Sequence, residues 1–133
     1  MAIDFNKIEQ STELLYEKAI SYREHLHQNP ELSYKEYNSQ KFVSDTLTAI
    51  GIENSDIGET GVVALISADH HDKQDTCIAL RADLDALPIQ EQNKVPYKSN
   101  VDGVMHACGH DVHTSILLGA AEIIHENRNE LKR

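Results

Sequence analysis

Two short β-rich runs set among three helical patterns constrain this chain more than any other feature. Val62-Val63-Ala64-Leu65-Ile66 follows a turn at Glu59-Thr60-Gly61, and Thr76-Cys77-Ile78-Ala79-Leu80-Arg81-Ala82 follows a polar connection. Brief apolar runs of this kind suit strands buried in a sheet. Ahead of them Phe5, Ile8, Leu15, Ala19, Tyr22 and Leu26 recur at helical spacing, which predicts one long helix with Asp4 as N-cap and Pro30 as its stop. His25 and His27 close that helix, where positive charge suits the dipole, and polar packing is enough to explain them. Ser33-Tyr34-Lys35-Glu36 has capping-box form and predicts a second helix with Phe42, Val43, Leu47 and Ile50 inside and Gly51 just past its end. Asp111 is placed to cap a third, with Val112, Ile116, Leu117, Ala120, Ala121, Ile123 and Ile124 as its buried stripe. The order helix, helix, strand, strand, helix predicts an α/β domain. Two strands are few for a sheet that must cover three helices, so the architecture reads as unfinished.

Charge and length narrow the function classes. The 133 residues carry a formal net charge of −10, which repels nucleic acid and anionic membrane surfaces alike. No apolar run is long enough to span a bilayer, and the N-terminus lacks a basic stretch followed by an apolar one, so a cytoplasmic protein is expected. Cys77 and Cys108 do not form a disulfide framework, which agrees with a reducing compartment.

The chemistry concentrates in Gly103-Val104-Met105-His106-Ala107-Cys108-Gly109-His110-Asp111-Val112-His113. Cys108 and His110 lie two residues apart, so they share a face of an extended segment and not of a helix. Read as a loop entering a helix, the pair converges a thiolate and an imidazole on one point, a donor set suited to zinc, manganese or cobalt. Either residue alone is more commonly a packed side chain, and two ligands do not complete a site. A second candidate cluster is Asp83-Leu84-Asp85, at the C-terminal end of the second β-rich run. Open α/β sheets bind ligands at the carboxyl ends of their strands, and either aspartate can ligate a metal or hold a ligand histidine by its second ring nitrogen. An aspartate turn that merely ends a strand is the competing reading. Asp69-His70-His71-Asp72 reads as a solvated connection, and residues 89–102 as an irregular excursion.

Taken together, three segments resemble the metal-dependent amidohydrolases of the aminoacylase, hippurate hydrolase and indoleacetyl-amino-acid hydrolase type, relatives of carboxypeptidase G and other dinuclear zinc peptidases. They are Arg23-Glu24-His25-Leu26-His27-Gln28-Asn29-Pro30-Glu31-Leu32 with Glu36, then Leu80-Arg81-Ala82-Asp83-Leu84-Asp85-Ala86-Leu87-Pro88-Ile89, and the segment from Gly103 to His113 with Gly119-Ala120-Ala121. The resemblance implies a zinc-peptidase-like catalytic domain, a mixed sheet flanked by helices, in which Cys108 and His110 are the first two metal ligands. Asp85 matches the aspartate of the wider family's His-x-Asp motif, which implies a catalytic residue that supports the metal-ligand shell. Asp83 falls where that family has a ligand histidine and is the weaker candidate for direct contact. His113 lies in the motif without an assigned role, and His106 is expected to be structural.

In such enzymes two divalent metal ions polarise an amide carbonyl and acidify a bridging water, and a glutamate acts as base. The substrates are N-acyl amino acids or related amides, and the enzymes assemble as homodimers or larger homo-oligomers. Relatives of this type run to several hundred residues, with an inserted dimerisation domain, a Glu-Glu pair that supplies the base and a ligand, and two later histidine ligands. None of these is found after Cys108 here. The expectation is therefore the N-terminal portion, residues 1–133, of a truncated catalytic domain, inactive alone and marginally stable or self-associating through an uncovered sheet edge. The alternative is a stand-alone, non-catalytic metal-binding or assembly module.

Overall fold

A computed structural model of the protein describes residues 5–69 and 76–130. Three helices and a β-hairpin follow one another along it. They are α1 (Phe5–Gln28), α2 (Tyr37–Ala49), β1 (Asn54–Ile57), β2 (Gly61–Ala64) and α3 (His110–Glu126), with a short 3₁₀ turn over Arg128–Glu130.

The helical periodicity of the first stretch produces α1, although Phe5 at its start is 78% exposed and only Leu26 and His27 at its far end are fully buried. The expected cap Asp4 lies outside the described residues. α1 lies along α3, and the pair is clasped by Lys18 Nζ, 2.6 and 2.7 Å from the two carboxylate oxygens of Glu122.

The second helix begins later than the capping-box pattern predicts. Tyr34 has a left-handed backbone (φ 63°), so Ser33 cannot cap, and α2 starts after Glu36 without a side-chain cap of its own. Glu31 takes over that task from outside the helix. Its carboxylate accepts the backbone N–H of Asn38 at 3.2 Å and of Ser39 at 2.7 Å, two of the amides that a helix start leaves unpaired. The C-terminus follows the sequence reading. Gly51 sits at φ 83°, its N–H reaches the Thr48 carbonyl and the Ile52 N–H reaches that of Leu47, which is a Schellman closure. Ile52 and Leu47 then join the core with Val43 and Leu118, flanked by Tyr22, Phe42, Ile50, Val62, Ile66, Leu84 and Ala121.

The sheet is smaller than predicted and differently built. β1 pairs antiparallel with β2 in the register Asn54↔Ala64 to Ile57↔Gly61, so the hairpin partner of the first β-rich run is a polar segment that carries no hydrophobic signal. Residues 76–82 form no strand, because a strand needs a ladder and no described segment lies alongside to supply one. Ile78 is 86% and Leu80 59% exposed. Pairing resumes one turn later as two single bridges, Leu32 with Ala86 in parallel and Leu87 with Met105 antiparallel. These bridges hold the 83–87 segment beside the start of α3.

α3 also departs from its expected stripe. Its buried positions are Asp111, Thr114, Ser115 and Leu118, whereas Val112 and Ile116 are exposed. The helix turns a partly polar face toward α1 and leaves part of its apolar face uncovered.

Candidate metal centre

The turn that opens α3 carries the candidate ligands. Gly109 stands at the N-cap with φ 83°, a conformation that a side chain would strain, and no side chain caps the helix. Asp111, expected at the cap, is instead inside the first turn and buried, with its carboxylate directed at α1. The reason is electrostatic: Arg23 Nε at 3.0 Å and His27 Nδ1 at 2.8 Å both meet Asp111 Oδ2.

His110 begins the helix beside the 83–85 segment. Its Nδ1 lies 2.8 Å from the Asp85 carbonyl and 3.0 Å from Asp85 Oδ1. With Nδ1 donating to Asp85, Nε2 is the nitrogen left with a lone pair, the arrangement in which a carboxylate orients an imidazole for a metal. Cys108 is an exposed free thiol two residues away. Asp83 is turned elsewhere, with Arg81 Nε donating to its carboxylate at 3.1 Å, and its carbonyl accepts the Thr114 hydroxyl at 3.1 Å. His113 is exposed, its ring centroid 6.2 Å from that of His110. Among the described residues no three His, Cys, Asp or Glu side chains converge in a way that could hold a metal ion. The soft thiol and the oriented imidazole therefore fit part of a metal shell and do not complete one. Of the polar connection, Asp69 is tied by hydrogen bonds to Asn129, and His70, His71 and Asp72 lie outside the described residues.

Behind this turn is a buried polar network that the sequence patterns do not single out. His27 is 4% exposed; besides meeting Asp111 it places Nε2 3.1 Å from Glu91 Oε1. Glu91, in the stretch read as an irregular excursion, is 2% exposed and accepts the Ser99 amide at 2.7 Å and the Asn93 side chain at 3.2 Å. Burial works to raise the Glu91 pKa, but the Ser99 amide, His27 and Asn93 together hold it below the ordinary carboxylate value of 4.5. Arg23 also covers the Tyr97 ring at 4.5 Å, and the Tyr97 and His27 rings stand perpendicular, 5.6 Å apart. The one signal available was the spacing Arg23-x-x-x-His27, which puts two nitrogen-bearing side chains on one face of α1. His106, expected to be structural, is buried beside His27 with neither ring nitrogen hydrogen-bonded. Burial pushes its pKa below 6.5; Asp111 opposes that, and His27 and His110 reinforce it.

Residues 79–133 match the model of peptidase family M20/M25/M40. The chain is 43% identical over 126 residues to thermostable carboxypeptidase 2 of Saccharolobus solfataricus, covering 92% of this chain and 31% of the relative. It is 44% identical over 114 residues to an N-acyl-L-amino acid amidohydrolase of Geobacillus stearothermophilus, covering 85% of this chain and 30% of the relative. The crystal structure of a dinuclear metal-binding M20 peptidase from Bacillus subtilis superposes with a TM-score of 0.82 at 43% identity, over 90% of this chain and 33% of that one. Over residues 79–133 the chain is thus similar to the M20 peptidase family. The chain spans about three tenths of the length of these curated relatives. The matched region includes the Asp83–Asp85 segment, the Cys108–His110 turn and all of α3. The likeness of fold extends over α1 and α2 as well, since the superposition covers nine tenths of the chain.

Proposed function

We propose that Cys108 and His110 are the first two ligands of a two-metal hydrolytic centre that cleaves the amide bond of N-acyl amino acids or related amides. The observation that carries this reading is the hold of Asp85 on His110 Nδ1, which leaves Nε2 with its lone pair in a residue two positions from an exposed thiol. The amidohydrolase and carboxypeptidase relatives and the dinuclear M20 structure support the same chemistry. Asp85 is then the residue that fixes the tautomer and direction of His110, and Asp83 and His113 line the approach without ligating. Zinc, manganese or cobalt bound there supplies an electrophile for the amide carbonyl and an acidified water. On this reading the remaining ligands and the base lie outside the three tenths of the relatives' length that these residues span.

The 133-residue chain alone is on this reading inactive, because no third described ligand joins Cys108 and His110. The second reading, a non-catalytic metal-binding module, rests on the Cys108–His110 pair alone. A chimera separates the two. This chain replaces the matching three tenths of the Geobacillus amidohydrolase, and hydrolysis of N-acetyl and N-benzoyl amino acids is followed with added manganese, zinc or cobalt. The expected result is turnover by the chimera, loss of at least about a hundredfold on Cys108→Ser or His110→Ala, and none by the chain alone. Turnover by the chain alone, or a chimera indifferent to both substitutions, overturns the reading.

A further inference from the structure

We infer that His27, clamped between Glu91 and Asp111, is a positioning residue for His110. The premise is that α3 has no anchor of its own where it starts. Its N-cap is a left-handed glycine with no side chain to close the first turn. A helix start of this kind is free to fray unless tertiary contacts hold it. Besides the Thr114 hydroxyl on the Asp83 carbonyl, two ties do so here, and each acts on one of two adjacent residues. Asp85 grips the ring of His110 from one side. On the other, the neighbouring Asp111 is fastened to α1 through His27 and Arg23.

His27 is the hub of the second tie. Its two ring nitrogens face carboxylate oxygens, Asp111 Oδ2 at 2.8 Å and Glu91 Oε1 at 3.1 Å. An ionised carboxylate only accepts, so both contacts are hydrogen bonds when both nitrogens carry protons. Glu91 is in turn fixed by the Ser99 amide, and the loop that carries it is pinned to α1 by the Asn100 amide on the Gln28 carbonyl at 2.9 Å. The imidazole therefore cannot rotate away from Asp111 without breaking a buried contact at its other end. Removing its N–H groups leaves Asp111 with Arg23 alone, at the 30%-exposed end of the network. The first turn of α3 then loosens, and His110 loses its approach to Asp85. What this positioning does for a metal rests on the reading proposed above; the orientation of His110 itself does not.

The test has a metal-free arm and a metal arm. In the first, ring-nitrogen NMR of the 133-residue chain reports which nitrogen of His110 carries the proton. The wild type is expected to show the Nδ1–H tautomer donated to Asp85. His27→Phe, which keeps a ring and loses both N–H groups, is expected to give a mixture of tautomers in a chain whose circular dichroism remains helical. Lys18→Met is the control, because it loosens the same helix pair far from the turn and should leave His110 unchanged. In the second arm, cobalt is titrated and the thiolate-to-cobalt absorption is followed. Cys108→Ser should abolish it, and His27→Phe should weaken binding by at least about tenfold.

Should His27→Phe not fold, Glu91→Gln decides, with a smaller shift in the same direction. Retention of the Nδ1–H tautomer in the variant that folds overturns the positioning role, and so does an equal disturbance in Lys18→Met. A wild type with no cobalt band but a His27-dependent His110 tautomer sinks the metal reading and leaves the positioning role standing.

Discussion

Replacing Glu91 by glutamine tests the buried network with the smallest change of shape. Glu91 Oε2 accepts the Ser99 amide at 2.7 Å, while Oε1 accepts from His27 and Asn93 at 3.1 and 3.2 Å. Glutamine keeps one acceptor and turns the other position into an N–H₂ group. With both His27 nitrogens protonated, an N–H₂ meets donors whichever way the amide faces, so either the Ser99 amide or the His27 and Asn93 contacts are orphaned. A hydrogen bond to a charged group contributes about 1.5–3 kcal/mol, and a buried donor left alone costs about 1–3 kcal/mol. These overlap in part, because the same bond is counted from both ends, and the expected loss at pH 7 is about 2–3 kcal/mol.

The pH dependence has a definite sign. Glu91 titrates below 4.5 in the folded chain, so the folded state binds fewer protons than the unfolded one as pH falls through that range. Its contribution is complete above pH 4.5 and disappears as pH drops through the lower folded value. The groups facing it are His27, Asn93 and Ser99, with Asp111 and Arg23 beyond His27. Urea unfolding of wild type and Glu91→Gln from pH 7 downward measures the gap between them. It should be widest near neutrality and narrow once pH falls below that value. A gap under about 0.5 kcal/mol at pH 7, or one that stays constant through the acid range, refutes the account of Glu91 as an ionised, fully partnered buried group.

Two further outcomes concern packing and backbone. Leu118→Ala removes the contribution of α3 to the cluster formed with Val43, Leu47 and Ile52, and chemical denaturation should show a loss of about 2–5 kcal/mol. Gly51→Ala introduces a Cβ only 3.6 Å from His125 Nε2, an ordinary contact, so its cost comes from the left-handed backbone at φ 83°. That cost should be about 1–2 kcal/mol in the same assay, with the helical circular dichroism retained.

How far the sequence could be read depended on whether the relevant signal was local. Helix periodicity and the closing Gly51 act within a few residues, and α1 and the end of α2 followed from them. Capping was less legible. Ser33 and Asp111 are both good cap residues in isolation, yet Tyr34 adopts a left-handed backbone and Asp111 is drawn inward by Arg23 and His27. Glu31 caps α2 from outside its local pattern, which spacing cannot reveal. The apolar run at 76–82 carries a sound strand pattern, but a strand also needs a neighbour, and neighbours are a property of the whole fold. The exposure of Ile78 and Leu80 expresses that difference.

The candidate centre divides in the same way. Sequence alone determined that a thiol and an imidazole flank a glycine at a helix entrance, that two aspartates end an apolar run, and that together these resemble a metal-dependent hydrolase. Covalent spacing suffices for such a motif. Only the tertiary structure decided that Asp85 grips His110 while Asp83 pairs with Arg81, and that a buried Glu91–His27–Asp111 chain stands behind the turn. Those partners are separated by up to 84 residues, and a hydrogen bond between them exists only where folding has brought the backbone into register.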